Sequence, residues 1–467
     1  MENETHFPVR VEHHTKGKMH IIVMGCAFFV GLILCIIVGA AGPDVFSEHA
    51  DPDGSTVTIR PSEEGEGVSQ GIWMGLLTGM KKKHRIMWVT GSFDRPDFLN
   101  NDRPEIELTF DQKMFITIEG LHGEDERHIL ADRVERDRKV VCPAHQDRCS
   151  DFLIFFQTYI RFPQYRVEVQ FIHPGEIADG VNPELKCFMK FFFINEDYTQ
   201  FELGWGYLFM ALTTIVCVVF FLQLVYRLGW WKEWNTQQRW LVILLPFLWF
   251  FNDPFFAGQV VEAPAHGLPE LNIFFIATFV AVLLLYWLCL MDQIRTDHHA
   301  TSVGSRKIAW PRWVIWKSIL CFVIWLIIMS TFIELYTTQT KDPTFDGITE
   351  STDERKSMAF TAATSLFMAI YIIWMIYLIV SAFHHIKEML PCYHFLFGVT
   401  LLVIIITVVA VFLASLFPVQ STPVQFLGLY GMYNMYIWML AFAYTPLKPE
   451  DQYSGGSGDI QMAGVNA

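Results

Sequence analysis

The sequence predicts a polytopic α-helical membrane protein: one N-terminal helix, a seven-helix bundle, and between them a large all-β domain on the far side of the bilayer. Three observations carry this expectation. Of 467 residues, 52% are apolar and 18% charged, with a mean hydropathy of +0.31. A soluble domain is about 45 to 50% apolar and about 25% charged. Next, apolar runs of about twenty residues, the length that crosses a hydrocarbon layer as a helix, recur along the chain. Finally, residues 43 to 202 hold 29 Asp and Glu against 18 Lys and Arg, a net −11 of the chain's −14. This composition excludes a disordered chain, and the acidic balance excludes a basic nucleic-acid binder.

The expected spans are 20–41, 204–226, 240–261, 271–291, 313–335, 359–383, 396–417 and 425–444. The first has the basic flank and small-residue exit of a secretory signal. Its uncharged stretch from Ile21 to Gly42 exceeds the roughly 7 to 15 residues of a signal core, so a retained anchor is expected; the alternative is a cleaved peptide and seven remaining helices. With residues 1–19 cytosolic, the short cytosolic segments and tail 447–467 carry 12 Lys and Arg, and the short far-side loops carry 3. This bias places 42–203 in the lumen or outside the cell. The sequon at Asn3 then lies in the cytosol. No N-linked glycan is expected, and an endoglycosidase-sensitive mobility shift of the native protein contradicts the orientation.

Residues 42–203 read as strands. Polar and apolar residues alternate over 166–172 and 105–110, and 113–119 is rich in β-branched and aromatic residues. Segments 152–160 and 187–194 are more continuously apolar, as in strands covered on both faces. About 160 residues suffice for a sandwich with its own core, and 61–71 reads as a solvated linker. Of three cysteines on this side, Cys142 and Cys149 are close enough to close a small loop and are the first choice for a disulfide; pairing by Cys187 is the alternative.

Ionisable residues inside a span are expensive and mark candidate sites. Asp253, between Asn252 and Pro254 and among five aromatic residues, is a ligand or switch site, or else a structural kink where Pro254 withdraws a backbone donor. Asp292 and Arg295 stand one helical turn apart and form either an ion pair that locks the helix end or two interfacial charges. Tyr433 and Asn434 lie beside Gly431, where helices can approach closely with an amide across the gap. Paired histidines at 13–14, 298–299 and 384–385 are a weak metal signal, so no metal or cofactor is expected. The basic run 81–85 is a solvated loop or a patch for an acidic partner. Neither a GxSxG motif nor a phosphate-cradling glycine loop occurs, which speaks against an enzyme.

The run from Gln238 to Phe256 (QRWLVILLPFLWFFNDPFF) and the last helix from Leu429 to Pro446 (LYGMYNMYIWMLAFAYTP) resemble the transmembrane protein 181 family, and Met291-Asp-Gln is similar to Wntless. Those are seven-transmembrane proteins with a Golgi-dynamics (GOLD) domain, related to Wntless. The likeness is specific over 202–446 and covers the general order of the β domain. It implies a GOLD-like sandwich on a Wntless-like bundle and a non-enzymatic protein of the Golgi, secretory pathway or plasma membrane. Family members are described as orphan receptor-like or trafficking proteins, with an association with toxin binding. The expected function is a sorting or cargo receptor whose β domain and bundle cavity meet a luminal or extracellular protein or lipidic ligand. The alternatives are a G-protein-coupled-receptor-like signalling protein held inactive by Asp292 and Arg295, and a channel or transporter with Asp253 on a water path.

Overall fold

The computed structural model describes residues 18–49, 56–59, 70–95, 107–122, 126–158, 160–172, 185–229, 231, 234–261, 268–300, 312–346, 354–386, 391–416 and 422–446. Helix α1 (Lys18–Ala40) leads into nine strands: β1 (Phe46–His49), β2 (Thr56–Ile59), β3 (Gln70–Leu77), β4 (Met87–Phe93), β5 (Leu108–His122), β6 (Glu126–Cys142), β7 (Phe152–Gln157), β8 (Gln164–Ile172) and β9 (Leu185–Ile194). Helices α2 (Glu196–Leu228), α3 (Thr236–Phe251), α4 (Phe256–Val261), α5 (Leu268–Ala300), α6 (Arg312–Lys341), α7 (Glu354–Ile386), α8 (Pro391–Leu416) and α9 (Pro423–Ala443) follow.

The strands make two antiparallel sheets. One runs β1-β9-β4-β7 with β2 also on β9, the other β3-β8-β5-β6. Alternation sets the layering: β8 buries Tyr165, Val167, Val169 and Phe171 and turns Arg166, Glu168 and Gln170 outward. Residues 108–110 of the expected segment 105–110 and all of 113–119 belong to the single strand β5, residues 105–106 lying outside the described residues, and 152–160 ends as a strand at Gln157. Strand β6 gave no strand signal because nine of its 17 residues are charged. It is a sheet-edge strand, where charge discourages pairing with other chains. Of the expected linker, 61–69 lies outside the described residues, and Gly71 belongs to β3.

Cys142 and Cys149 form a disulfide. Cys187 is a free thiol, fully buried, and burial pushes its ionisation well up, so it packs as an apolar group.

Seven helices, α1 included, are long and apolar enough to cross a membrane; α8 adds a shorter apolar stretch, His394–Ala410, among the described residues. The expected span 240–261 is interrupted: α3 stops at Phe251 and α4 starts at Phe256. Helix α5 is the hub, packing on α3, α6 and α7 with Phe279, Tyr286, Trp287 and Met291 buried. Helix α1 lies along α9, close enough that a Cβ on Gly431 would stand 2.6 Å from Cys35 Sγ. Gly431 therefore serves contact with α1, whereas the amide of Asn434, three residues further on, bonds to α2 and α3.

Strands β1 and β9 are neighbours, with Phe46 opposite Ile194. They connect directly to α1 and α2, so the sandwich stands on two adjacent stems. Asn195 closes this joint. Its backbone N–H donates to Val45 O at 2.9 Å, and its side chain caps α2 by accepting from Asp197 N.

Candidate functional site

The chain break after α3 builds the first part of the site. Asp253 has φ +52°, a left-handed conformation that Asp tolerates better than most residues. Its Oδ1 accepts from Phe255 N at 3.2 Å and its carbonyl from Phe256 N at 3.3 Å. Pro254, which has no N–H to satisfy, sits in the turn between them. The break ends α3 at Asn252, which is buried against α9.

There Asn252 and Asn434 exchange two hydrogen bonds, each amide nitrogen donating to the other's oxygen at 2.9 Å. The Thr213 hydroxyl on α2 donates to Asn434 Oδ1 at 3.0 Å, and Trp438 Nε1 donates to Thr213 at 3.1 Å. Asn434 Nδ2 also reaches Tyr430 O at 2.8 Å. Both amides and Thr213 are fully or almost fully buried, so these bonds replace water that the bundle excludes. The junction ties α2, α3 and α9 at one height. Tyr433 points elsewhere, its hydroxyl 3.1 Å from that of Thr407 on α8.

Above the junction lies a cavity of about 270 Å³. Its floor and sides are Glu202, Leu203, Gly206 and Tyr207 of α2, Asn252, Asp253 and Phe256 around the break, Asn272 and Ile273 of α5, Phe332, Leu335, Tyr336 and Gln339 of α6, and Phe426 and Tyr430 of α9. Its roof is Arg85, Ile86, Phe156 and Thr158 of the β domain.

Two latches hold that roof. The basic run 81–85 forms the first: Lys81 and Lys83 bond Glu196 at 2.9 and 2.8 Å, and Arg85 bonds Glu202 at 2.7 Å with its guanidinium 4.7 Å above the Phe256 ring. This run is thus an internal clamp onto α2. The second uses the turn after α6. Phe156 N–H at the β7 edge donates to Pro343 O at 2.9 Å, Arg138 donates to Thr344 O at 2.6 Å, and Arg136 pairs with Asp342. Exposed ion pairs contribute little, so the buried Arg138 and Thr344 dominate this side.

His84, within the first latch, packs 4.7 Å from the Phe193 ring. Burial lowers its proton affinity, Glu196 opposes that shift and Lys81 adds to it. The folded value thus falls below the ordinary 6.5, so this stabilisation is complete above 6.5 and lost as pH falls through the lowered value. Acidification from about pH 7.5 to about pH 5 is expected to depress the melting temperature of the wild type more than that of His84→Asn; equal depressions contradict this.

About 30 Å along α5 from Asn272, by helical rise, a second polar cluster holds the opposite end. Lys317 Nζ on α6 donates to Asp292 Oδ2 at 2.7 Å and to Leu288 O at 3.3 Å. Gln237 of α3 donates to Gln293 at 2.9 Å. The Arg295 side chain lies outside the described residues, so its expected pairing with Asp292 has no structural counterpart to compare.

Of the residues the sequence marks, Asn252 and Asn434 are brought together, Asp253 lies on the cavity wall beside Pro254, Asp292 belongs to the distant cluster and Tyr433 faces α8. Thr213, Glu202 and Lys317 carry no mark in the sequence reading, and Arg85 is marked there only as part of the basic run 81–85. For Lys317 the signal was there, a lysine within an apolar span. For Arg85 and Glu202 only the docking of domains reveals the partnership. Among the described residues no three His, Cys, Asp or Glu side chains gather as metal ligands. His13 and His14 lie outside the described residues, as do the side chains of 298–299 and 384–385.

A two-sheet domain carried between the first two helices, docked over a polar junction in a helical bundle, defines a multi-pass membrane protein with a roofed cavity. Residues 195–448, more than half of the chain, match the Wntless-like transmembrane domain, and the chain belongs to that family. Over 459 residues it is 24% identical to human Transmembrane protein 181, a likeness covering 94% of this chain and 88% of that protein.

Proposed function

We propose that the protein is a non-enzymatic sorting or cargo receptor of the secretory pathway or cell surface, with its termini in the cytosol and its β domain, of GOLD type, on the far side. The cavity between that domain and the bundle carries this reading. One domain exposed to the lumen or cell exterior and one embedded in lipid both contribute walls to it, so a ligand there contacts both. The latches supply a means of release, since ion pairs and a short edge contact separate without unfolding either core.

Luminal proximity labelling with organelle markers tests this reading. The expected result is a defined set of far-side partners whose surface delivery changes when the protein is deleted. If deletion leaves the luminal and surface proteomes unchanged, the receptor reading falls. The buried Asp292 and Lys317 pair favours a second reading, in which this end is a signalling switch; agonist-dependent G-protein coupling altered by Lys317→Met would replace the first.

A further inference from the structure

The sheet β3-β8-β5-β6 has two unlike edges. Its outer strands are β3 and β6, and among the described residues neither has a strand on its far side. An edge strand presents backbone N–H and C=O groups that a further strand can pair, and charge is a usual protection against such pairing. Strand β6 carries nine charges in 17 residues. Strand β3, QGIWMGLL, carries none.

The side chains repeat the contrast. Trp73 and Leu77 turn inward and are buried, whereas Ile72, Met74 and Leu76 turn outward and are 55%, 57% and 55% exposed. Of the described β domain only one other large apolar side chain, Ile129, is exposed, so the row is a local feature of β3. The outward residues of the adjoining strand are polar: Gln170, Glu168 and Arg166 of β8 stand opposite Ile72, Met74 and Leu76. Strand β2 meets β3 from the core side, where a Cβ on Gly71 would stand 2.9 Å from Ile59 and Val57, and it leaves the outward row uncovered. A contiguous apolar row beside polar neighbours marks a contact surface.

Three occupants suit an apolar row, and the surroundings favour one. Lipid offers a backbone edge no hydrogen-bond partners. A second copy brings a second β domain with the same net −11 over residues 43–202, and that charge opposes self-association. An extended polypeptide satisfies edge and row together, and the same charge attracts one that is basic.

We propose that β3 is a docking edge for an extended segment of a partner polypeptide, with large apolar residues at alternate positions and basic residues at its flanks. The segment adds a strand beside β3, its backbone pairing with the open edge and its apolar side chains lying against Ile72, Met74 and Leu76. No residue of β3 lines the cavity, so this docking is independent of the cavity reading.

The test is fluorescence anisotropy of a labelled peptide with the full-length protein in lipid nanodiscs. The peptide alternates valine and threonine with a lysine at each end, and its control is N-methylated at alternate residues, which removes the donors of one edge. Saturable binding of the unmethylated peptide is expected, with apparent affinity lower by at least about tenfold for the methylated peptide and for Met74→Lys, a charge of the kind that guards natural edges. Ile129→Lys is expected to bind as wild type does. Met74 is more than half exposed, so a Met74→Lys melt close to wild type verifies folding. Absence of peptide binding, or equal binding of the two peptides, overturns the docking edge. Equal binding by a glutamate-ended peptide overturns the basic character assigned to the partner. Binding in detergent that is lost in nanodiscs assigns the row to the bilayer surface, and a wild-type dimer that Met74→Lys dissolves, without peptide binding, assigns it to a second copy; either result replaces the proposal.

Discussion

Lys317→Met is expected to destabilise the bundle by about 3 to 5 kcal/mol, the usual consequence of stranding one member of a buried ion pair. Lys317 and Asp292 have side chains only 2% and 12% exposed, 2.7 Å apart. Methionine keeps the length of lysine and removes its charge, so the loss falls on Asp292, left as a carboxylate between α5 and α6 without its ammonium. The double variant Asp292→Leu with Lys317→Met removes both charges and should recover most of that loss, because two apolar side chains of similar volume need no desolvation. Thermal melts of the purified protein in one detergent measure both. A Lys317→Met melt indistinguishable from wild type, or a double variant as unstable as the single, contradicts the role assigned to this pair.

Asn434→Leu should have the second largest effect. It removes the oxygen that accepts from Asn252 at 2.9 Å and from Thr213 at 3.0 Å and the nitrogen that donates to Asn252 Oδ1 at 2.9 Å. Each buried polar group left without a partner costs about 1 to 3 kcal/mol. Interhelical bonds in membranes are often weaker, about 0.6 kcal/mol on average, because the unfolded chain also finds partners. The decisive quantity is therefore the coupling. Asn252→Leu with Asn434→Leu is expected to cost less than the sum of the singles by about 0.5 to 3 kcal/mol, since each single strands the other amide. Strict additivity, measured in the same melts, would show that the two amides do not act as a unit.

The two kinds of element were legible to different degrees. Spans need only about twenty apolar residues, which a single sequence displays, so the eight helical segments were found. Their ends were not: α5 continues to Ala300 beyond its apolar run, because a helix extends into water on hydrogen bonds that hydropathy does not register. Strand β8 was legible through its alternation, while β6 was hidden by its charge. Arg138, one of the many charges of that strand, is 2% exposed and reaches the turn after α6.

The site divides in the same way. Asn252, Asp253 and Pro254 stand together in sequence and break an apolar run, so they attracted notice. Thr213 is a hydroxyl in a long helix, and its role comes from Asn434, 221 residues away. The clamp of Lys81, Lys83 and Arg85 on Glu196 and Glu202 spans more than a hundred residues. Charge alone left that run a solvated loop or a patch for an acidic partner; the fold supplies an internal partner.

On the proposed function, the roofed cavity receives the far-side ligand. The most direct measurement places a photo-crosslinking phenylalanine analogue at Phe332, on the cavity wall, in the full-length protein in cells. It compares the wild-type background with Gly206→Trp, since a side chain at Gly206 meets nothing closer than Asn252 O at 3.5 Å and so grows into the cavity. The expected result is a covalent adduct with a partner or small molecule that disappears when tryptophan fills the space. An adduct pattern unchanged by Gly206→Trp would contradict the claim.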